Sequence, residues 1–130
     1  MPENDKPQIG SLGWVDLTVE NADKIMTFYK SVVGWEVEKF NMGDYDDYIL
    51  KMPGTNIPVA GICNAKGGNK DLPPVWLNYF TVKDVDFSAD ECVKMGGSLI
   101  VPPKMMSEYG RFCVIKDPAG VICALFTPTI

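Results

Sequence analysis

From Trp14 to Val19 apolar and polar positions alternate: Val15, Leu17 and Val19 point one way, Trp14, Asp16 and Thr18 the other. This is the period of a half-buried strand. Asn21 then suits a helix N-cap, and Asp23 sits in the first turn, where the helix dipole favours a negative charge. Ile25, Phe28, Tyr29, Val32 and Val33 follow at helical spacing and predict one apolar face. Gly34 supplies the left-handed residue that ends such a helix. Strand-like runs come next, over Trp35 to Phe40, Asp47 to Met52 and Val59 to Cys63, with Pro53-Gly54 as the turn before the last.

The pattern then repeats. Thr18, Val19, Asn21, Asp23 and Gly34 find counterparts in Thr81, Val82, Asp84, Asp86 and Gly97, each 63 positions later. Val75 to Val82 reads as a strand and Asp84 as a cap. Val85, Ala89, Cys92 and Val93 form a thinner apolar stripe, closed by Gly96-Gly97. Strands are predicted over Ser98 to Val101, Arg111 to Ile115 and Val121 to Thr127, with Asp117-Pro118-Ala119-Gly120 as a tight turn. Pro102 to Gly110 reads as the connection between two of them. Each half is therefore β-α-β-β-β, and the chain an α+β fold of two tandem modules. Module one covers residues 9–65 and module two 75–130, joined through Asn64 to Pro74, with Gly67-Gly68-Asn69 and Pro73-Pro74 in the linker. Each half is too small to bury its own sheet well, so a single domain over 9–130 is expected. Residues 1–8 are polar, lack the apolar stretch of a secretory signal, and are expected to form a disordered tail.

Composition narrows the function. Of 130 residues 46% are hydrophobic, enough for a real core, and the net charge is -5. An acidic chain is a poor partner for phosphate backbones, so no nucleic acid is expected. No run of 18 apolar residues occurs, so no membrane span is expected either. Histidine is absent, which removes Ser-His-Asp, Cys-His and His-zinc chemistry from this chain. Cys63, Cys92, Cys113 and Cys123 form no C-x-x-C pair. They read as free thiols of a cytoplasmic protein, with a four-cysteine zinc site or a reactive thiol as alternatives.

Three segments, WVDLTVENADKIMTFYKSVVGW, YFTVKDVD and GRFCVIKDPAGVICALFTP, in this order and spacing, resemble the vicinal oxygen chelate superfamily. That superfamily includes glyoxalase I, bleomycin-resistance proteins and extradiol dioxygenases. The resemblance runs from Leu12 to Pro128 and implies paired modules whose curled mixed sheets enclose a cavity. Metal-using members set four ligands there, usually His, Gln or Glu. By strand register those positions fall here on Trp14, Gly61, Leu77 and Ala124, none of which ligates a divalent ion through its side chain. This departure from the family's pattern leads to the expectation of no metal and no cofactor in this chain. A composite site borrowing Asp16 or Glu108 is the one route left to a metal.

The expected inward set is Trp14, Asp16, Thr18, Leu77, Tyr79, Thr81, Ile122, Ala124 and Phe126, a mostly apolar mixture of the kind that lines binding pockets or simply fills a core. Met106 and Tyr109 are candidates for a pocket mouth. Arg111 is a candidate to hold an anion bidentately, or to pair with a surface acid such as Glu108. Asp16, mid-strand between apolar neighbours, is a candidate acid, base or cation anchor, or a carboxylate satisfied by Thr18, Thr81 or Tyr79. Three functions follow as expectations. The first is metal-free binding of a small aromatic or amphipathic molecule, for sequestration or resistance. The second is a metal-independent lyase or isomerase with Asp16 as base and Tyr79 as acid. The third is a structural or regulatory module; a homodimer is expected.

Overall fold

A computed structural model describes residues 8–129. Eight strands and two helices follow one another as β1 (Leu12–Val19), α1 (Ala22–Val33), β2 (Glu36–Asn41), β3 (Asp46–Lys51), β4 (Pro58–Asn64), β5 (Trp76–Thr81), α2 (Val85–Lys94), β6 (Ser98–Met106), β7 (Gly110–Lys116) and β8 (Ile122–Pro128). This is the twofold β-α-β-β-β order that the repeat predicts. Apart from Gln8, the expected tail lies outside the described residues.

The chain divides into two compact units. One is Val15–Trp76; the other joins the residues up to Trp14 with those from Leu77 onward. In the first unit the strands run β2-β3-β4-β1. β1 is parallel to β4, while β4, β3 and β2 are antiparallel in turn. In the second the order is β5-β8-β7-β6, again with one parallel pair, β5 and β8, followed by antiparallel neighbours. Strand pairing within each unit is therefore mixed.

The core of the first unit lies between α1 and one sheet face. Leu17, Ala22, Tyr48, Leu50, Ala60 and Ile62 are buried there, with Ile25, Met26 and Tyr29 packed against them. The seam of α1 is thus Ala22, Ile25, Met26 and Tyr29, the i, i+3, i+4, i+7 row of a helix. The stripe expected from sequence is only half right. Phe28, Val32 and Val33 are 54%, 64% and 50% exposed, because small Ala22, not a large side chain, sets the line of contact. In the second unit Val85 and Ala89 of α2 bury against Cys113, with Leu99, Ile115 and Leu125 alongside; Val93 stays exposed.

Helix ends differ between the repeats. Asp84 caps α2 as expected, its carboxylate accepting from the backbone N–H groups of Asp86 and Phe87. Asn21 does not cap α1 with its side chain; its carbonyl accepts the N–H of Ile25 instead. Gly34 ends α1 in the left-handed region, at φ 88°. Its repeat partner Gly97 is required for another reason: a Cβ there would lie 2.6 Å from Cys92 Sγ and 2.8 Å from the Lys116 carbonyl.

The connection expected from Pro102 to Gly110 is shorter than read. β6 continues through Pro102-Pro103 to Met106, with its register to β7 slipping between Val101 and Lys104. As the outermost strand of its unit it can carry prolines, whose missing N–H groups interrupt no inner ladder.

Candidate functional site

Strand alternation sorts the candidate residues by face. Leu17 belongs to the core under α1, flanked by Val15 and Val19. Asp16 and Thr18 therefore lie on the opposite face of the first unit's sheet. There Asp16 pairs in register with Gly61 on β4, Gly61 with Ile49 on β3, and Ile49 with Glu38 on β2. A row across four strands thus reads Asp16, Gly61, Ile49, Glu38. Adjacent strands are about 4.8 Å apart, and the glycine, which has no side chain, is a notch in the row between a carboxylate and an isoleucine. Asp16 and Ile49 are partly open to solvent, and Gly61 is buried.

The next row on this face holds Thr18, paired with Cys63. Burial pushes the Cys63 thiol far up, and the negative charges of Asp16 and Asp47 push it further. Asp47 accepts the thiol as well as the backbone and side-chain N–H groups of Asn64, both at 2.9 Å. Cys63 is therefore a protonated hydrogen-bond donor at neutral pH, not a nucleophile. At the outer end of the notch row Glu38 is ion-paired with Lys51.

In the second unit Leu77, Tyr79 and Thr81 alternate with Asn78 and Phe80. Tyr79 registers with Ala124, which registers with Val114, and Phe112 with Phe126. Since Cys113 and Leu125 face α2, this set lies on the face away from the helix. Leu77, Tyr79, Thr81, Phe112, Val114 and Ala124 are all at most 6% exposed. The Tyr79 and Phe112 rings are 6.3 Å apart, and Lys104 Nζ lies 5.7 Å from the Phe112 ring centre. Ser11 and Thr81 join hydroxyls at 3.5 Å. Ile122 and Phe126 are half-buried.

The remaining candidates scatter. Met106 ends β6 opposite Gly110 and is half-buried; Tyr109 is 62% exposed in the turn after it. Arg111 faces α2, and its guanidinium is held by two hydrogen bonds, 2.7 and 2.8 Å, from Nε and a terminal nitrogen to Asp86. Its acid is thus Asp86 rather than Glu108, because the β7 register sets Arg111 beside the first turn of α2. Asp16 belongs to one unit and Tyr79 to the other.

Trp14, Gly61, Leu77 and Ala124, the positions to which the resemblance assigns metal ligands, offer no side-chain lone pair to a divalent cation. Among the described residues no group of three or more His, Cys, Asp or Glu could hold a metal. No described helix is long and apolar enough to cross a membrane.

Sequence reasoning missed a second feature, on the α1 side of the first unit. Tyr29 lies edge-on to Trp76 at 5.1 Å and to Phe28 at 5.1 Å, and Trp35 lies 5.9 Å from Trp76. The Trp76 indole N–H donates to the Tyr29 hydroxyl at 3.1 Å. The rings of Phe28, Tyr29 and Trp76, though not Trp35, line a cavity of about 330 Å³ together with Leu17, Val19, Ile25, Pro74 and Val75. The helical spacing of Phe28 and Tyr29 was visible; the arrival of Trp76, 47 residues later, was not.

Comparison with known proteins supplies the family. In Mycobacterium bovis the protein named "Putative glyoxylase CFP32" is 28% identical over 127 residues, 97% of this chain and 49% of that protein. The anthracycline biosynthesis protein DauV of a Streptomyces species is 29% identical over 111 residues, 85% of this chain and 39% of that protein. The chain thus spans half or less of these curated relatives. Methylmalonyl-CoA epimerase from Mycobacterium tuberculosis shares the fold at TM-score 0.57 and 18% identity, over 98% of this chain and 97% of that one. The Streptomyces coelicolor epimerase, solved with 2-nitronate-propionyl-CoA, does so at 0.59 and 19%, over 94% and 96%. The sequence pattern of one superfamily matches residues 11–125. The chain belongs to the glyoxalase/bleomycin resistance protein/dioxygenase superfamily.

Proposed function

We propose that this member of the superfamily binds a small organic molecule on the first unit's sheet face, seated in the notch at Gly61 and anchored by Asp16. The row Asp16, Gly61, Ile49 carries this reading. By the resemblance a glycine stands at a position where metal-using relatives carry a ligand, and it puts no side chain of its own there. Asp16 on one side offers a hydrogen-bond acceptor and a negative charge; Ile49 on the other offers apolar surface. Cys63, kept as a thiol and bonded to Asp47, brings no charge to the next row. The ligand that fits has a flat or apolar body and carries a hydrogen-bond donor or a positive charge. An anthracycline, the kind of compound two Streptomyces relatives help to make, joins a polycyclic aromatic body to an amino sugar and belongs to that class. Binding alone suffices for sequestration, and no catalytic group is needed.

A thermal-shift screen over cationic and neutral aromatic compounds tests the proposal. A true ligand at a hundred times its Kd adds about 2.7 kcal/mol of stability, which raises the melting temperature by several degrees. Asp16→Asn folds normally and weakens cationic ligands about tenfold, the size of one charge-assisted hydrogen bond. A panel that leaves the melting curve unmoved, or an Asp16→Asn variant that binds cations undiminished, refutes it.

A further inference from the structure

The aromatic groove beside α1 lies on the opposite sheet face from the notch, since Leu17 and Val19 line it while Asp16 points away. We propose that it is a second binding site, for a neutral, flat aromatic molecule carrying one hydrogen-bond acceptor, such as an aryl ketone. Three observations select that chemistry. The first is size: about 330 Å³ is at the small end of ligand pockets and suits a fused two-ring body. The second is charge. No lining residue is charged, so a charged ligand would lose its hydration with nothing to replace it. The third is the hydroxyl of Tyr29. It accepts the Trp76 indole N–H, which fixes its ring and leaves its own proton to donate. The neighbouring rings already stand edge-on, and Phe28 and Val75 at the rim are 54% and 39% exposed, apolar surface that such a ligand covers.

The neutral naphthyl ketone Prodan serves as the probe, because its emission shifts to the blue on leaving water and its carbonyl is the acceptor required. Wild-type protein should bind one equivalent saturably, with quenching of tryptophan fluorescence. Tyr29→Phe keeps the ring and the packing but removes the donor, and should weaken binding about three- to tenfold. Phe28→Ala should weaken it about fivefold or more. Phe87→Ala removes a comparably exposed ring from α2 and should change affinity less than about twofold. An anionic naphthalene sulfonate of the same ring size should bind at least about tenfold more weakly. Circular dichroism confirms the fold of each variant; should Phe28→Ala fail to fold, Tyr29→Phe decides alone. The proposal is overturned by absence of saturable binding, by equal affinity of wild type and Tyr29→Phe, by equal loss in Phe87→Ala, or by a dimer in sedimentation that Phe28→Ala dissociates, which places a second copy of the chain in the groove.

Discussion

Four free thiols sit in this chain, and their surroundings set their chemistry apart. Burial and the carboxylates of Asp16 and Asp47 drive Cys63 far up; burial, with Cys92 and Cys123 nearby, takes Cys113 to about 11, and Cys123 moves the same way. In an unfolded chain each would ionise near the ordinary thiol value of about 8.5. Above that pH the unfolded state releases protons that the folded state keeps, so the contribution is whole below about pH 8.5 and is lost as pH rises toward the folded values. Urea midpoints should therefore be flat from pH 7 to 8 and fall by pH 10.5, and Cys63→Ala should lose less over that window than the wild type. Identical alkaline losses in the two proteins would show that Cys63 is not held neutral by its surroundings. The sequence marks the cysteines as free thiols, but of the four only Cys113 is fully buried. The acid beside Cys63 was not legible in the sequence, because Asp47 reaches it from another strand.

At the scale of the elements, the repeat carried the most information and the helix caps the least. Asn21 and Asp84 are equivalent in sequence, yet only Asp84 bonds its helix N-terminus. Asp84→Ala should cost about 1 kcal/mol in chemical denaturation and Asn21→Ala less than about 0.5 kcal/mol; equal costs would mean that the two caps do the same work. Gly34 and Gly97 show the same lesson, one held by a positive φ and the other by the thiol and carbonyl it touches. Periodicity located α1 but chose the wrong line of contact, because a stripe of large residues does not reveal that Ala22 lets the helix approach closely. β6 was read too short because Pro102-Pro103 looks like a loop until the strand is known to be outermost.

For the whole molecule, the alternation, the repeat and the resemblance made the module order and family legible, along with the face on which Asp16 lies. The notch row depends on register between β1, β4 and β3, and register is written in strand pairing rather than in any one segment. Net charge is a property of the whole chain. At -5, with a pI near 4.6, the protein should pass unretained through heparin at pH 7 and reach its solubility minimum near pH 4.6. Retention at low salt would expose a basic patch that the overall charge hides.

The two prolines in β6 have a consequence for behaviour at high concentration. An outermost strand offers an unfilled line of hydrogen-bonding groups to any extended segment of another molecule. Pro102 and Pro103 carry no amide N–H, which takes a donor out of that line, and the register slips between Val101 and Lys104. On the other unit, Glu36, Glu38 and Lys39 put charge along β2. Filament growth by stacking one chain's border against the next is thereby discouraged at both places, by missing donors at one and by charge at the other.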